Sequence, residues 1–126
     1  ESLGEPFKLI WIEEQLGYPK AINIGIKESK GEYIILLNND TILLEQEKDN
    51  WLNLLEKPFI ENSKCGLTGP VKFSWDCGGI SRMCIAFWLV MIKREVFEEI
   101  GYLDEIFSPG MGEDGDFCIR SEFAGF

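Results

Sequence analysis

Two stretches constrain this chain more than anything else in it. Glu32–Leu37 (EYIILL) and Ile85–Lys93 (IAFWLVMIK) are nearly unbroken apolar runs of strand length. A strand with one wet face alternates apolar and polar residues; a strand covered on both faces does not. Each run therefore predicts a central strand with packing layers above and below it.

The intervening segments suit helices. Pro19 is placed to open a helix reaching Lys30, where a missing N–H costs nothing, with Ala21, Ile22, Ile24 and Ile26 as apolar surface and Gly31 as the expected C-terminal cap. A second helix is expected around Glu45–Glu56, stopped before Pro58. Arg94–Ile100 predicts a short helix ended by Gly101, and Asp116–Ala124 a final one. Phe7–Ile12 (FKLIWI) and Val71–Trp75 read as further strands, with Gly66–Pro70, Cys77–Arg82 and the glycine-rich Ser108–Gly115 as loops. Strands alternating with helices predict an α/β layered fold with a mostly parallel central sheet flanked by helices.

With 126 residues, 45% of them hydrophobic, the chain is long enough for one compact domain and too short for two. Its net charge of −10 disfavours a nucleic-acid partner, which requires a basic surface. There is no histidine, so a Ser-His-Asp triad within the chain is excluded. The four cysteines form no C-x-x-C pair, which argues against a zinc site and a disulfide scaffold and for reduced thiols, hence the cytosol. Ile85–Ile92 is too short to cross a bilayer. Neither a dinucleotide-binding glycine fingerprint nor a P-loop occurs.

Three constellations carry chemistry. Asn38-Asn39-Asp40 follows a buried strand, and open α/β sheets bind ligands beyond the carboxyl ends of their strands. A carboxylate there suits Mg²⁺ or Mn²⁺ together with a diphosphate, although Asn and Asp are equally ordinary strand-ending turn residues. Gly110-Met111-Gly112-Glu113-Asp114-Gly115-Asp116 puts three carboxylates within four positions at a helix start. Such acids cap free N–H groups, and a carboxylate among carboxylates can also act as a base. Trp75, beside a glycine-rich loop, is the aromatic best placed to stack on a sugar; Phe87 and Trp88 lie in a buried-looking strand, where core packing explains at least one of them.

The order of these pieces resembles the family 2 glycosyltransferases of GT-A fold. The resemblance rests on Leu16-Gly17-Tyr18-Pro19-Lys20-Ala21-Ile22-Asn23-Ile24-Gly25-Ile26, Lys30-Gly31-Glu32-Tyr33-Ile34, Leu36-Leu37-Asn38-Asn39-Asp40-Thr41, the stretch from Met91 to Glu105, and Glu113-Asp114-Gly115-Asp116-Phe117-Cys118-Ile119-Arg120. It covers about residues 7–125, and N-N-D-T looks like the rhamnosyltransferase-like variant.

The resemblance implies a single partial transferase domain over 1–126. About 1–45 would form the nucleotide-sugar side and about 65–126 the acceptor and catalytic-base side. It implies donor contacts from Gly17, Asn23, Asn38, Asn39 and Asp40, with Asp40 the metal ligand for Mg²⁺ or Mn²⁺. Asp114 would be the catalytic base, Glu113 its acidic neighbour, and Trp75 and Asp116 would face the acceptor.

The implied reaction moves a sugar with inversion from a UDP-, dTDP- or GDP-sugar to a saccharide or lipid-linked acceptor hydroxyl. It would serve surface polysaccharide synthesis in the cytoplasm, including the cytoplasmic face of a membrane. The resemblance further implies a chain truncated at both ends, weak or absent activity in isolation, and self-association to cover an exposed sheet edge. Two other readings stay open: a non-catalytic carbohydrate- or nucleotide-binding remnant of the same fold, and a nucleotidyltransferase. The transferase reading requires Asp40 and Asp114 to face one cleft.

Overall fold

The computed structural model describes residues 7–126. In chain order it runs α1 (Tyr18–Glu28), β1 (Tyr33–Leu37), α2 (Asn50–Glu61), β2 (Leu67–Thr68), β3 (Lys72–Cys77), β4 (Ile80–Ile85), β5 (Leu89–Lys93), α3 (Arg94–Ile100), a 3₁₀ turn (Glu105–Phe107) and α4 (Glu113–Ala124). The main sheet has the order β1-β5-β2, and β3 and β4 form a separate hairpin.

β5 is the central strand, and both its faces are covered. Ile34 and Leu36 of β1 join Val90 and Ile92 of β5 in a cluster with Ile26, Val96, Phe97, Leu103 and Phe117 from the helical side and the following turn. On the other face Leu89 and Met91 pack with Leu55 and Phe59 of α2, with Tyr33 and Ile35 at the margin. This two-sided burial is the reason neither run alternates. Within the first cluster the rings of Phe87, Phe97 and Phe117 meet, with Phe117 centroids 5.7 and 5.1 Å from the other two.

The sheet is α/β in its layering but not parallel. β1 pairs antiparallel with β5, Tyr33 opposite Lys93 and Leu37 opposite Leu89, and β2 pairs antiparallel with β5 as well. An apolar run reports that two faces are covered, while strand direction is set by the connection. Here the chain returns through α2 and the β3–β4 hairpin and enters β5 from the end where β1 left off.

Five local expectations are corrected, the first being the loop Gly66–Pro70, within which Leu67–Thr68 forms β2. Phe7–Ile12 forms no strand; Phe7, Leu9 and Trp11 are exposed and no described strand lies beside them to supply a ladder. α2 begins later than expected and continues through Pro58, because Leu55 and Phe59 on either side of it are buried, and that packing outweighs one lost i→i−4 bond. Cys77–Arg82 is no loop: Gly78 and Gly79, both at positive φ (62° and 85°), make a two-residue turn, and β4 pairs back on β3. The expected strand from Ile85 divides at Ala86-Phe87-Trp88, so that Ile85 ends β4 and Leu89 begins β5. No helix among the described residues is long and apolar enough to cross a membrane.

Candidate active site

The two acidic segments come from chain regions more than seventy residues apart, and the fold joins them through one pair of neighbouring carbonyls. β1 ends at Leu37. The next amide, Asn38 N–H, donates to the Trp88 carbonyl at 2.9 Å, and Thr41 N–H closes a turn on the Asn38 carbonyl at 3.2 Å. Asn39 and Asp40 therefore project from a turn at the carboxyl end of β1, and both are exposed. Asp40 makes no ion pair among the described residues.

The adjacent carbonyl, that of Phe87, accepts the Tyr18 hydroxyl at 2.8 Å. Tyr18 opens α1, and its own N–H donates to the Pro109 carbonyl at 2.7 Å. Gly17, at φ 78°, lies against the same proline. Pro109 in turn leads into Gly110-Met111-Gly112 and the start of α4.

That start is tightly built. Met111 has φ 102°, a conformation costly for a side-chain-bearing residue, and Gly112 has φ 101°. The Glu113 carboxylate, 8% exposed, accepts the Met111 N–H at 2.6 Å and so holds this loop. Asp114 is half-buried; one oxygen accepts the Gly115 N–H at 2.8 Å. Both carboxylates lie in the first turn of α4 rather than in a loop before it, where free N–H groups and the helix dipole favour negative charge. The Tyr18 hydroxyl is pushed above its ordinary range, first by burial and then by the nearby charges of Glu113 and Asp114.

Trp75 on β3 completes this end. Its indole lies over α4, so close that a Cβ on Gly115 would sit 2.7 Å from the ring's Cδ2, and one on Gly112 would sit 3.5 Å from its Cη2. The ring is half-buried beside Asp114's helical turn and packs edge-on against Phe73 at 6.2 Å between centroids.

Two of the residues expected at the ligand have structural partners in the fold. Asn23 is 3% exposed, and its amide donates to the Leu103 carbonyl (2.9 Å) and Glu105 Oε1 (3.2 Å) while accepting the Leu103 N–H (3.1 Å). It ties α1 to the turn after α3 and has no amide donor left for a nucleotide. Asp116 accepts from Arg120 Nε at 2.8 Å, and that guanidinium caps the end of α3 through the Ile100 and Tyr102 carbonyls at 2.9 and 3.0 Å. Asp116 thus faces Arg120. Phe87 is a core residue, while Trp88 is 36% exposed.

Three concavities, of about 480, 610 and 350 Å³, lie elsewhere: near Cys65 and Phe126, beside Tyr33 and Arg94, and along the outer edge of β1. Neither Asp40 nor Asp114 lines any of them, so the expected shared cleft is not among these. Tyr18, which no sequence motif singles out, is the functional neighbour that sequence reasoning misses. Its sequence context carried no signal, because both of its partners are backbone carbonyls of remote residues.

The family model for glycosyl transferase family 2 matches residues 1–64, which include Gly17, Tyr18 and the Asn38-Asn39-Asp40 turn. No curated protein and no solved structure matches the chain. The match takes in half of the sequence, and the chain belongs to glycosyl transferase family 2.

Proposed function

We propose that this chain acts as an inverting, nucleotide-sugar-dependent glycosyltransferase of GT-A type, with Asp114 as the general base and Asp40 at the donor diphosphate. Family membership supports glycosyl transfer in general. The observation that supports the finer reading is the hydrogen-bonded route from Asn38 through Trp88, Phe87 and Tyr18 to the Pro109 loop, which connects the turn after β1 to the loop that leads into α4.

Inverting transfer needs one base. As the acceptor hydroxyl attacks the anomeric carbon, its proton passes to the Asp114 carboxylate, the new glycosidic bond forms, and the bond to the diphosphate breaks. Glu113 holds the loop that presents Asp114. Trp75, lying beside that turn, offers a stacking surface for a saccharide acceptor. The donor, a UDP-, dTDP- or GDP-sugar, would lie with its diphosphate against Asn38, Asn39 and Asp40.

The residues fit a divalent cation only in company with that diphosphate. Among the described residues no three His, Cys, Asp or Glu side chains gather to hold an ion. Mg²⁺ and Mn²⁺ are commonly held by one or two carboxylates with phosphate oxygens and water completing the shell, a minimum that Asp40 meets. So held, the ion would act as a Lewis acid on the departing diphosphate.

The same sparse ligand set favours a second reading, a non-catalytic nucleotide- or carbohydrate-binding remnant. Incubation with UDP- and dTDP-sugars and Mn²⁺ separates the two. Donor hydrolysis or transfer that falls by roughly 10²-fold or more in Asp114→Asn, with donor binding retained, supports the enzyme. The Asn amide oxygen can keep the Gly115 N–H contact, so this variant isolates the base. Donor binding without turnover supports the remnant.

A further inference from the structure

The proposed function leaves one question: what holds the spacing between two acidic segments that share no direct bond? The segments meet at different elements. Asn38 is fastened to the Trp88 carbonyl (2.9 Å), and the Glu113 carboxylate closes back on Met111 N–H (2.6 Å). Among the described side chains that lie between them, Tyr18 is hydrogen-bonded toward both. Tyr18 donates its hydroxyl to Phe87 (2.8 Å) and its amide to Pro109 (2.7 Å).

Neither end of that link can drift easily. Phe87 is 3% exposed, with its ring against Phe117 of α4 at 5.7 Å. Pro109 lies on Gly17, whose missing side chain lets the loop backbone approach. The Tyr18 side chain also lies under the glycine loop, its Cβ 3.6 Å from where a Cβ on Gly110 would be.

We infer that Tyr18 is a positioning residue of the transferase site: with one hydroxyl and one amide it sets the distance between the Asn38-Asn39-Asp40 turn and the Glu113-Asp114 pair. It touches no reacting atom. The inference rests on the transferase reading for its purpose, but the mechanical link exists independently of any ligand. Groups that act on one bound donor and acceptor must be held to within a fraction of an ångström for the two to react. A rigid aromatic strut with hydrogen bonds at both ends suits that task better than a flexible side chain.

The test is Tyr18→Phe, which removes only the hydroxyl. Amide hydrogen exchange is measured at Asn38 and Met111, with Arg94 as the internal control. The Arg94 N–H donates to the Glu32 carbonyl at 2.8 Å, at the opposite end of the same β1–β5 pairing. The expected result is exchange at Asn38 faster by roughly fivefold or more, with Arg94 unchanged. In the same variant, kcat for sugar transfer falls about tenfold or more while KM for the donor moves by less than about threefold, the pattern of lost alignment rather than lost binding.

Unchanged exchange at Asn38 overturns the inference. So does an equal rise at Asn38 and Arg94, which would make Tyr18 a general stabiliser. A kcat and KM that both stay at the wild-type values also overturn it. A wild-type chain that neither binds nor turns over UDP- or dTDP-sugars sinks the transferase reading instead, and the exchange data then decide the link alone.

Discussion

The backbone of Pro109 passes so close to Gly17 that a methyl group on Gly17 would lie 2.6 Å from the Pro109 Cα and 2.9 Å from its carbonyl oxygen. The same glycine has φ 78° and ψ 170°, a region essentially reserved for glycine, which a side chain enters at a cost of about 1–3 kcal/mol. Gly17 therefore carries two constraints at once, and relief of either one leaves the other. Gly17→Ala is expected to lower unfolding free energy by about 2–4 kcal/mol, adding overpacking to backbone strain. Urea titration followed by far-UV circular dichroism measures this. A loss under about 0.5 kcal/mol would mean that the Pro109 loop moves aside freely, and the link from α1 to the Glu113-Asp114 turn would then be slack.

How much of this was legible in the sequence depends on what each residue reports. Tyr33-Ile34-Ile35-Leu36 announced burial on two faces, and the alternate residues do go to opposite clusters. The direction of the strands was not legible, since burial is blind to chain polarity. Only the first half of the β3–β4 hairpin was legible: Phe73 and Trp75 alternate with Lys72, Ser74 and Asp76 ahead of Gly78-Gly79. The polar residues of β4 hid its second half, because a hairpin lying on a helix at one face needs little apolar sequence. At the candidate site, the Asn38–Asp40 turn and the acidic helix start could be named in advance. The internal duties of Asn23 and Asp116 could not: Asn23 bonds a residue 80 positions away, and nothing local marks such a partner.

Asp40 is the one carboxylate of its turn, flanked by neutral Asn38 and Asn39. A lone carboxylate is a poor trap for a bare divalent ion but a useful one when a diphosphate supplies further oxygens. Calorimetry should therefore detect Mn²⁺ only weakly on its own and much more tightly with UDP present. Asp40→Asn should weaken Mn²⁺-dependent UDP binding by about tenfold or more, equivalent to roughly 1.4 kcal/mol or more, without changing thermal stability. Tight Mn²⁺ binding without nucleotide, or UDP binding indifferent to both metal and Asp40, would remove the residue from the donor site.

Cys118 joins α4 to the β4 strand: it accepts the Ile85 N–H at 3.3 Å. Burial, the main cause, pushes its thiol up to about 12 from an ordinary 9.0. Below pH 9 the thiol is neutral in both folded and unfolded chains and the fold keeps its full stability. Between about 9 and 12 the unfolded chain releases a proton that the folded chain retains, so stability falls as pH rises and levels off above the folded value. The slope approaches at most about 1.4 kcal/mol per pH unit from this group. Urea midpoints at pH 8 and pH 10 should diverge more in the wild type than in Cys118→Ala, whose cavity cost is the same at both. Iodoacetamide at pH 8 should modify Cys65 before the buried Cys84, and before Cys118, whose thiol is pushed up to about 12. Equal alkylation of the three would contradict the burial of Cys84 and the raised thiol of Cys118.

The outer edge of β1 bears on self-association. Arg94 N–H reaches the Glu32 carbonyl and Asn38 N–H reaches the Trp88 carbonyl, so the even-numbered residues of this strand bond to β5. The amides and carbonyls of Tyr33, Ile35 and Leu37 consequently face the other way, along an edge that no described strand pairs. An apolar concavity of about 350 Å³, lined by Ile22, Ile26, Ile35 and Leu37 among others, runs beside it. Such an edge is a template for strand addition, and a second copy can satisfy it antiparallel about a two-fold axis near Ile35, which leaves each subunit making the same bonds. Sedimentation velocity should show dimer growing with concentration. Leu37→Lys, at a 43% exposed position on this edge, should hold the chain monomeric at the same concentrations by forcing two like charges toward the paired strands. A wild-type chain that stays monomeric at every concentration tested would leave this edge without that role, and a dimer indifferent to Leu37→Lys would place the contact on another face.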